Sequence, residues 1–243
     1  MKKNFCIIGA TSGLGLNFVK KNIKKNYIYC IGQNFNELDE FIKSRKLKKN
    51  YKKIKVNLNN KNSFNVYKLF KKKLDLIIHF AGIHKHNVIK FFDDKDLDQT
   101  LQVNLISPTK IICKLYANNK INNNANIIIL SSIQGSKVNV PGSLAYSMSK
   151  AGLNAVIKCL AREMSSTGVK VNAISPAMIK TPLLSNAHHL SKKSINQDKK
   201  KYLIGNDYLK INEILHVIDF LISKKQTKIT GQNIIVDSGY TLF

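Results

Sequence analysis

Short, mainly apolar runs recur along the chain, at 5–9, 27–31, 54–56, 74–80, 127–130, 169–174 and 234–236. Apolar residues at successive positions, where a half-buried strand would alternate, predict strands covered on both faces, as in a parallel sheet. Between the runs the period changes. After Tyr146, the residues Leu153, Val156, Ile157, Leu160, Ala161 and Met164 step by three and one, which lays an apolar stripe along a helix. Similar stretches predict helices near 96–116 and 211–222, and Leu16, Val19 and Ile23 place another after the first run. Strand and helix alternating throughout predict an α/β fold: a doubly wound parallel sheet with helices on both faces, three layers in all. In such sheets ligands sit beyond the carboxyl ends of the strands.

The residues that follow each strand are therefore the place to look for chemistry. The first run passes through Gly9-Ala10-Thr11-Ser12-Gly13-Leu14-Gly15 into a helix. Glycines there permit a tight turn and let backbone N–H groups approach a pyrophosphate at the helix N-terminus. The spacing is Gly-x3-Gly-x-Gly, unlike the commoner Gly-x-Gly-x-x-Gly fingerprint, and glycine turns also occur without a ligand. Tyr146-Ser147-Met148-Ser149-Lys150 opens the long helical stretch. Four residues apart on a helix, the phenol and the ammonium share a face. Free tyrosine titrates near pH 10, and bringing it to neutrality would take roughly 4 kcal/mol, which a neighbouring ammonium can supply. Tyr and Lys at this spacing are also common on helix surfaces, so the pair gains its meaning from its company. Other strand ends supply Ser131-Ser132-Ile133-Gln134-Gly135, His79-Phe80-Ala81-Gly82, Val103-Asn104-Leu105 and Ser175-Pro176-Ala177 followed by Thr181-Pro182. Thr230-Gly231-Gln232 and Val236-Asp237-Ser238-Gly239 flank the last run.

In this order and at these intervals, the motifs resemble the short-chain dehydrogenase/reductase family from Asn4 to Gly239. The resemblance implies one Rossmann-like domain over 1–243 that binds a nicotinamide dinucleotide, with 183–208 forming a substrate lid. It implies a catalytic set of Asn104, Ser132, Tyr146 and Lys150. Tyr146 would exchange a proton with the carbonyl or hydroxyl oxygen as hydride moves. Lys150 would keep the phenol ready to ionise and bond the nicotinamide ribose, Ser132 would align the carbonyl, and Asn104, from mid-helix, would anchor a water linking Lys150 to solvent. Gly9, Ser12, Gly13, Leu14 and Gly15 would wrap the pyrophosphate. Ala81 and Gly82 would pack against the adenosine side, Asn57 and Leu58 would face the adenine, and Ile179 and Thr181 would meet the carboxamide region. The chain departs from the family pattern at His79-Phe80, where two asparagines are usual, at Ala177, where a glycine is usual, at Asn57, where an aspartate is common, and at Ser238. None of these removes a catalytic group.

Composition narrows the class. The chain has 243 residues, 44% of them hydrophobic, with 11 Phe and 9 Tyr, enough for one large core. No apolar run approaches the roughly 18 residues of a membrane span. The first apolar stretch is too short, and too soon ended by Gly9, for a secretory signal, so a cytoplasmic protein with no membrane partner is expected. Lys+Arg 40 against Asp+Glu 14, net +26, first suggests nucleic acid. Arg, however, the residue suited to bidentate contacts with bases and phosphates, stands only at Arg45 and Arg162. The lysines are scattered and accompany Asn and Ile, whose codons are also A/T-rich, so the charge reads as codon bias on solvated faces with no nucleic-acid partner. Cys6, Cys30, Cys113 and Cys159 lie in apolar contexts without Cys-x-x-Cys spacing and read as small buried hydrophobes. His84-Lys85-His86 lacks a third ligand at metal spacing and reads as loop surface, so no metal is expected. The polar stretch 185–201 reads as a mobile surface insertion, with His188-His189 either exposed or against substrate.

The expected activity is NAD(P)-dependent interconversion of a carbonyl and a secondary alcohol. A 3-oxoacyl-carrier-protein reductase-like role on a small, carrier-bound substrate comes first. A sugar or nucleotide-sugar dehydrogenase and a non-catalytic nucleotide-binding regulator are the alternatives, the latter disfavoured by the complete catalytic set. NADP(H) is expected over NAD(H). An acid at the end of the second strand would bond the adenine ribose and repel a 2′-phosphate. Here Tyr29-Cys30-Ile31 ends in Gly32-Gln33-Asn34, with no carboxylate before Glu37. Gly32 should leave room, and Gln33 and Asn34 can donate hydrogen bonds to a phosphate. By resemblance the protein should be a homodimer or homotetramer, with the helix after Tyr146 in an interface that Ala151, Ala155 and Ala161 allow to close tightly.

Overall fold

The structure, a computed structural model, describes residues 2–181 and 192–242. Seven parallel strands form one sheet: β1 (Asn4–Ile8), β2 (Tyr27–Gly32), β3 (Tyr51–Lys55), β4 (Leu74–His79), β5 (Ile121–Leu130), β6 (Lys170–Pro176) and β7 (Asn233–Val236). Their order is β3-β2-β1-β4-β5-β6-β7. Around the sheet lie α1 (Gly13–Asn22), α2 (Asn36–Ser44), α3 (Asp94–Leu101), α4 (Ser107–Ala117), α5 (Leu144–Glu163), α6 (Lys192–Lys199) and α7 (Ile211–Ile222).

The consecutive apolar residues do what the sequence predicts. Phe5 and Ile7 join one core with Leu38 of α2, Phe18 of α1 and Ile218 of α7. Cys6 and Ile8 point the other way, into a second core with Ile112 of α4 and Ile157 of α5. The sheet thus separates two apolar layers, and burying both of its faces is the main drive to fold. Strand order reverses between β1 and β4, which pair from Phe5 with Leu76 to Ile8 with His79. Such a switch point opens a crevice at the carboxyl ends of the strands.

Several local features differ from the sequence expectation. The helix expected over 96–116 is interrupted by a π-helical turn at Gln102–Ile106, between α3 and α4. One extra residue per turn shifts the register there, a feature frequent at functional sites. Strand β3 begins at Tyr51, ahead of the apolar run, because as an edge strand it buries only Ile54. Strand β5 begins at Ile121, and its pairing with β4 is irregular between Leu74 and Leu76.

The 185–201 stretch, read as a mobile insertion, contains helix α6, and Tyr202 just beyond it is buried with its hydroxyl accepting from Met178 N–H at 3.1 Å. Residues 183–191 of the expected lid, including His188 and His189, lie outside the described residues. Cys6 and Cys30 are buried as expected, and burial pushes both thiols up. Cys113 and Cys159 are instead exposed. They sit on the outward sides of α4 and α5, whose inward positions are taken by Ile111, Leu115, Leu153 and Ile157. Ala161 also departs from expectation, since it is buried in the core and cannot line an interface, whereas Ala151 and Ala155 are exposed. Among the described residues no helix is long and apolar enough to cross a membrane.

Candidate active site

The glycine loop hangs from the neighbouring strand, with Gly9 N–H and Ala10 N–H both donating to the Ile31 carbonyl, at 2.9 and 3.0 Å. Gly9 has φ +83°, and a Cβ there would fall 2.6 Å from Ala81 N. A Cβ on Gly15 would lie only 2.0 Å from the Gly9 carbonyl oxygen. Only bare backbone fits at these two points, so the ends of β1 and β4 meet directly. Ser12 precedes α1 with an extended backbone, and its side chain caps none of the helix N–H groups. The first-turn donors are thus left for an anion. Thr181 comes to this loop from beyond β6, its methyl carbon 3.9 Å from the Cβ position of Gly13, while Ile179 forms a bridge with Leu209. Glycine cradle and uncapped helix together fit a dinucleotide pyrophosphate.

Leu14 and Leu58 are core residues, so only their backbones can face a ligand. The Leu58 carbonyl is moreover taken by the Ser107 hydroxyl at 2.5 Å. Gln33 and Asn34 are exposed. Gln33 Nε2 reaches Asn57 Oδ1 at 3.4 Å, and Asn34 Oδ1 accepts from Asn36 N–H at 3.0 Å. This rim is polar and uncharged. Gly32 does not leave room as expected: the Thr11 side chain occupies the space, its Cγ2 lying 2.5 Å from where a Gly32 Cβ would be.

The four catalytic candidates converge at the ends of β4 and β5. Ser132 follows β5, and its hydroxyl accepts from Gln134 N–H at 3.2 Å. Beside it, buried Ser131 donates to Asn154 Oδ1 at 2.8 Å, tying the strand end to α5. Tyr146 lies in the first turn of α5 and Lys150 one turn on. The Lys150 ammonium is 5.4 Å from the centre of the Tyr146 ring and donates to the Leu130 carbonyl at 2.8 Å. Burial lowers Lys150 to about 8. Burial also raises Tyr146, and the hydrogen bond from Ser132 only partly opposes it. The phenol is therefore not depressed by the ammonium, as the spacing suggested. Desolvation disfavours the phenolate, and the Nζ is directed at a carbonyl.

Asn104 sits in the π turn, fully buried. Its Oδ1 accepts from Ile83 N–H at 2.8 Å, and its Nδ2 donates to the Ile83 carbonyl at 2.9 Å and to Ser149 Oγ at 3.0 Å. The amide thus clamps the loop after β4. Gly82 in that loop lies beside both Asn104 and Lys150, its Cβ position 3.5 Å from Oδ1 and 3.6 Å from Nζ.

Two histidines acquire a meaning the sequence did not give them. His79 is fully buried, with neither ring nitrogen bonded. Burial, and secondarily the charge of Lys150, lowers it to about 3. His84 is exposed, as expected for a loop, yet its ring lies 4.6 Å from the Tyr146 ring, centre to centre. Beside the site, Lys137, Val138 and Asn139 of the loop after Ser132 line a cavity of about 680 Å³ together with Lys200, Lys201, Tyr240 and Thr241.

Known proteins share both the sequence and this architecture. Residues 45–241 match the family described as Enoyl-(Acyl carrier protein) reductase. A 3-oxoacyl-[acyl-carrier-protein] reductase of Rickettsia bellii is 30% identical over 96% of this chain and 94% of its own. One from Buchnera aphidicola subsp. Baizongia pistaciae is 32% identical over 98% and 97%. Among solved structures, a short chain dehydrogenase family protein from Francisella tularensis superposes with a TM-score of 0.86 at 25% identity, covering 100% of both chains. A 4-hydroxyisoleucine dehydrogenase complexed with NADH gives 0.87 at 27%, again over 100% of both. The chain belongs to the short-chain dehydrogenase/reductase family, as an oxidoreductase of the CH–OH and carbonyl class.

Proposed function

We propose that the protein interconverts a carbonyl and a secondary alcohol by hydride transfer with NADP(H), on a 3-oxoacyl substrate held by a carrier. The observation that carries this reading is the convergence of Ser132, Tyr146 and Lys150 at one strand end, with Lys150 bonded to the last residue of β5 and its ammonium 5.4 Å from the centre of the phenol ring. When bound, the nicotinamide supplies or accepts the hydride. Tyr146 delivers its proton to the carbonyl oxygen and removes it in reverse. Ser132 donates a hydrogen bond to the same oxygen and fixes its direction. Lys150, its ammonium 5.4 Å from the centre of the phenol ring, bonds the nicotinamide ribose and keeps a cation beside the reacting groups. Asn104 holds Gly82 and Ile83 against the lysine, and the glycine loop with Ser12 receives the pyrophosphate.

The cofactor preference rests on the uncharged rim of Gln33, Asn34 and Asn57. Glu37, the first carboxylate after β2, is paired with Lys20 at 2.7 Å, which partly neutralises it. The relatives named as 3-oxoacyl reductases support the substrate class. The assembly is a homodimer or homotetramer, for which light scattering giving only a 27.5 kDa species would be the contrary result.

The deciding assay follows nicotinamide absorbance with an acetoacetyl thioester, using NADPH and NADH in turn. Oxidation of NADPH that depends on the thioester supports the reading. Turnover confined to sugar alcohols, with the thioester inert, would replace it by a sugar dehydrogenase.

A further inference from the structure

The loop after β4 does more than border the site. Asn104 pins Ile83 through both its N–H and its carbonyl, so the next residue, His84, leaves the clamp at a fixed point. Its Nε2 shares a 2.9 Å hydrogen bond with the hydroxyl of Ser143, a buried residue at the entry to α5. Its ring then packs on the Tyr146 ring, tilted by 35° at a centre-to-centre distance of 4.6 Å. A second contact joins the same two segments: Asn87 N–H donates to the Gly142 carbonyl at 3.0 Å. The His86 ring fills the space beside Gly142, with Cε1 2.6 Å from the Cβ position there.

We propose that His84 is a positioning residue for Tyr146, bridging Ser143 and the phenol ring so that the hydroxyl stays directed at Ser132 and the reacting oxygen. The inference rests on the reading of Tyr146 as proton donor and adds a residue to it. A tyrosine in the first turn of a helix can swing about two side-chain torsions, and each swing carries its oxygen by ångströms. Misplacing a reacting group by 1 Å can cost about 10²-fold in rate. A ring held by a hydrogen bond at its far edge and laid on the phenol face limits that swing. It acts on the chemical step and leaves cofactor affinity alone, because the pyrophosphate cradle lies on other loops.

The test compares His84→Ala, His84→Phe, Ser143→Ala and the double variant His84→Ala/Ser143→Ala in the full chain, with NADPH and acetoacetyl thioester. His84→Ala should lower kcat about tenfold while the NADPH KM and thermal midpoint stay at wild-type values. His84→Phe, which keeps a ring on the phenol, should recover most of the loss. Ser143→Ala should cost a few-fold alone and nothing further once His84 is gone, since it acts through the histidine. A kcat for His84→Ala within twofold of wild type would overturn the proposal, as would equal losses for Ala and Phe. A substrate-free readout is the ¹⁹F resonance of Tyr146 in fluorotyrosine-labelled protein, assigned by its absence in Tyr146→Phe. Loss of the neighbouring ring in His84→Ala should shift it, and an unmoved resonance would count against the stacking. The parent reading fails separately, if Tyr146→Phe itself retains wild-type turnover.

Discussion

The two ends of the candidate site are built differently. At the proton-transfer end, the groups are fixed by partners from other elements: Lys150 by the end of β5, Asn104 by the loop after β4, and Tyr146 by Ser132 and His84. At the ribose end, Gln33, Asn34 and Asn57 are solvent-facing or nearly so and bond to one another or to backbone two residues away. On the proposed reading, geometry is enforced where a proton and a hydride must arrive together, and left adaptable where the adenine ribose would be recognised. Changes at the first end should therefore be felt in turnover, and changes at the second in modest shifts of affinity.

The largest effect should come from Tyr146→Phe, which removes the transferable proton and little else. Turnover is expected to fall by about 10²–10⁴-fold, the usual share of general acid–base catalysis, with NADPH affinity nearly unchanged by fluorescence titration. Retention of more than about a tenth of kcat would break the contrast at its stronger end. Lys150→Ala should harm turnover and cofactor affinity together, because one ammonium serves both. Next comes Gly15→Ala. The added Cβ meets the Gly9 carbonyl at 2.0 Å, so the loop must move. A loss of about 1–3 kcal/mol in denaturant unfolding is expected, with weakened NADPH binding. Wild-type stability and affinity would show that the cradle is looser than its spacing indicates.

His79 probes the ground beneath the rigid end. In the unfolded chain its imidazole takes up a proton below about pH 6.5, whereas in the folded protein it does so only near 3. Protonation therefore favours unfolding. The stability is fully present above pH 6.5 and declines by about 1.4 kcal/mol per pH unit as the pH falls toward 3. His79→Leu should flatten that acid limb, and near pH 7 it should be neutral or stabilising, since it removes two unbonded buried nitrogens. Equal slopes for both proteins between pH 7 and pH 5 would assign the acid sensitivity elsewhere. The smallest effect belongs to the ribose rim. Gln33→Ala should weaken NADPH a few-fold and NADH hardly at all, and a tighter wild-type affinity for NADH would reverse the cofactor assignment.

Most of the framework could be read from the sequence because it depends on consecutive or regularly spaced residues. Seven apolar runs became seven strands, and topology brings their carboxyl ends together, so Asn104, Ser132, Tyr146 and Lys150 had to approach one another. Helix α2 escaped notice because it buries only Leu38 and Ile42 among charged residues. Cys113 and Cys159 face outward, against expectation, because apolar neighbours in sequence can lie on opposite sides of a helix. The π turn has no spacing of its own in Gln102-Val103-Asn104-Leu105-Ile106. His84 was not legible either: its contact with Tyr146 joins a loop to a helix 62 positions further along the chain, and no local period encodes it.

The packing of Thr11 against Gly32 also bears on how this protein could change its cofactor over evolutionary time. An acidic side chain at the end of β2 is the simplest single step toward recognising an unphosphorylated ribose. Here that step is obstructed, because a Cβ at Gly32 would meet the Thr11 side chain before any carboxylate could reach the ligand. For that step the Thr11 side chain must turn aside or be made smaller, which couples the two positions.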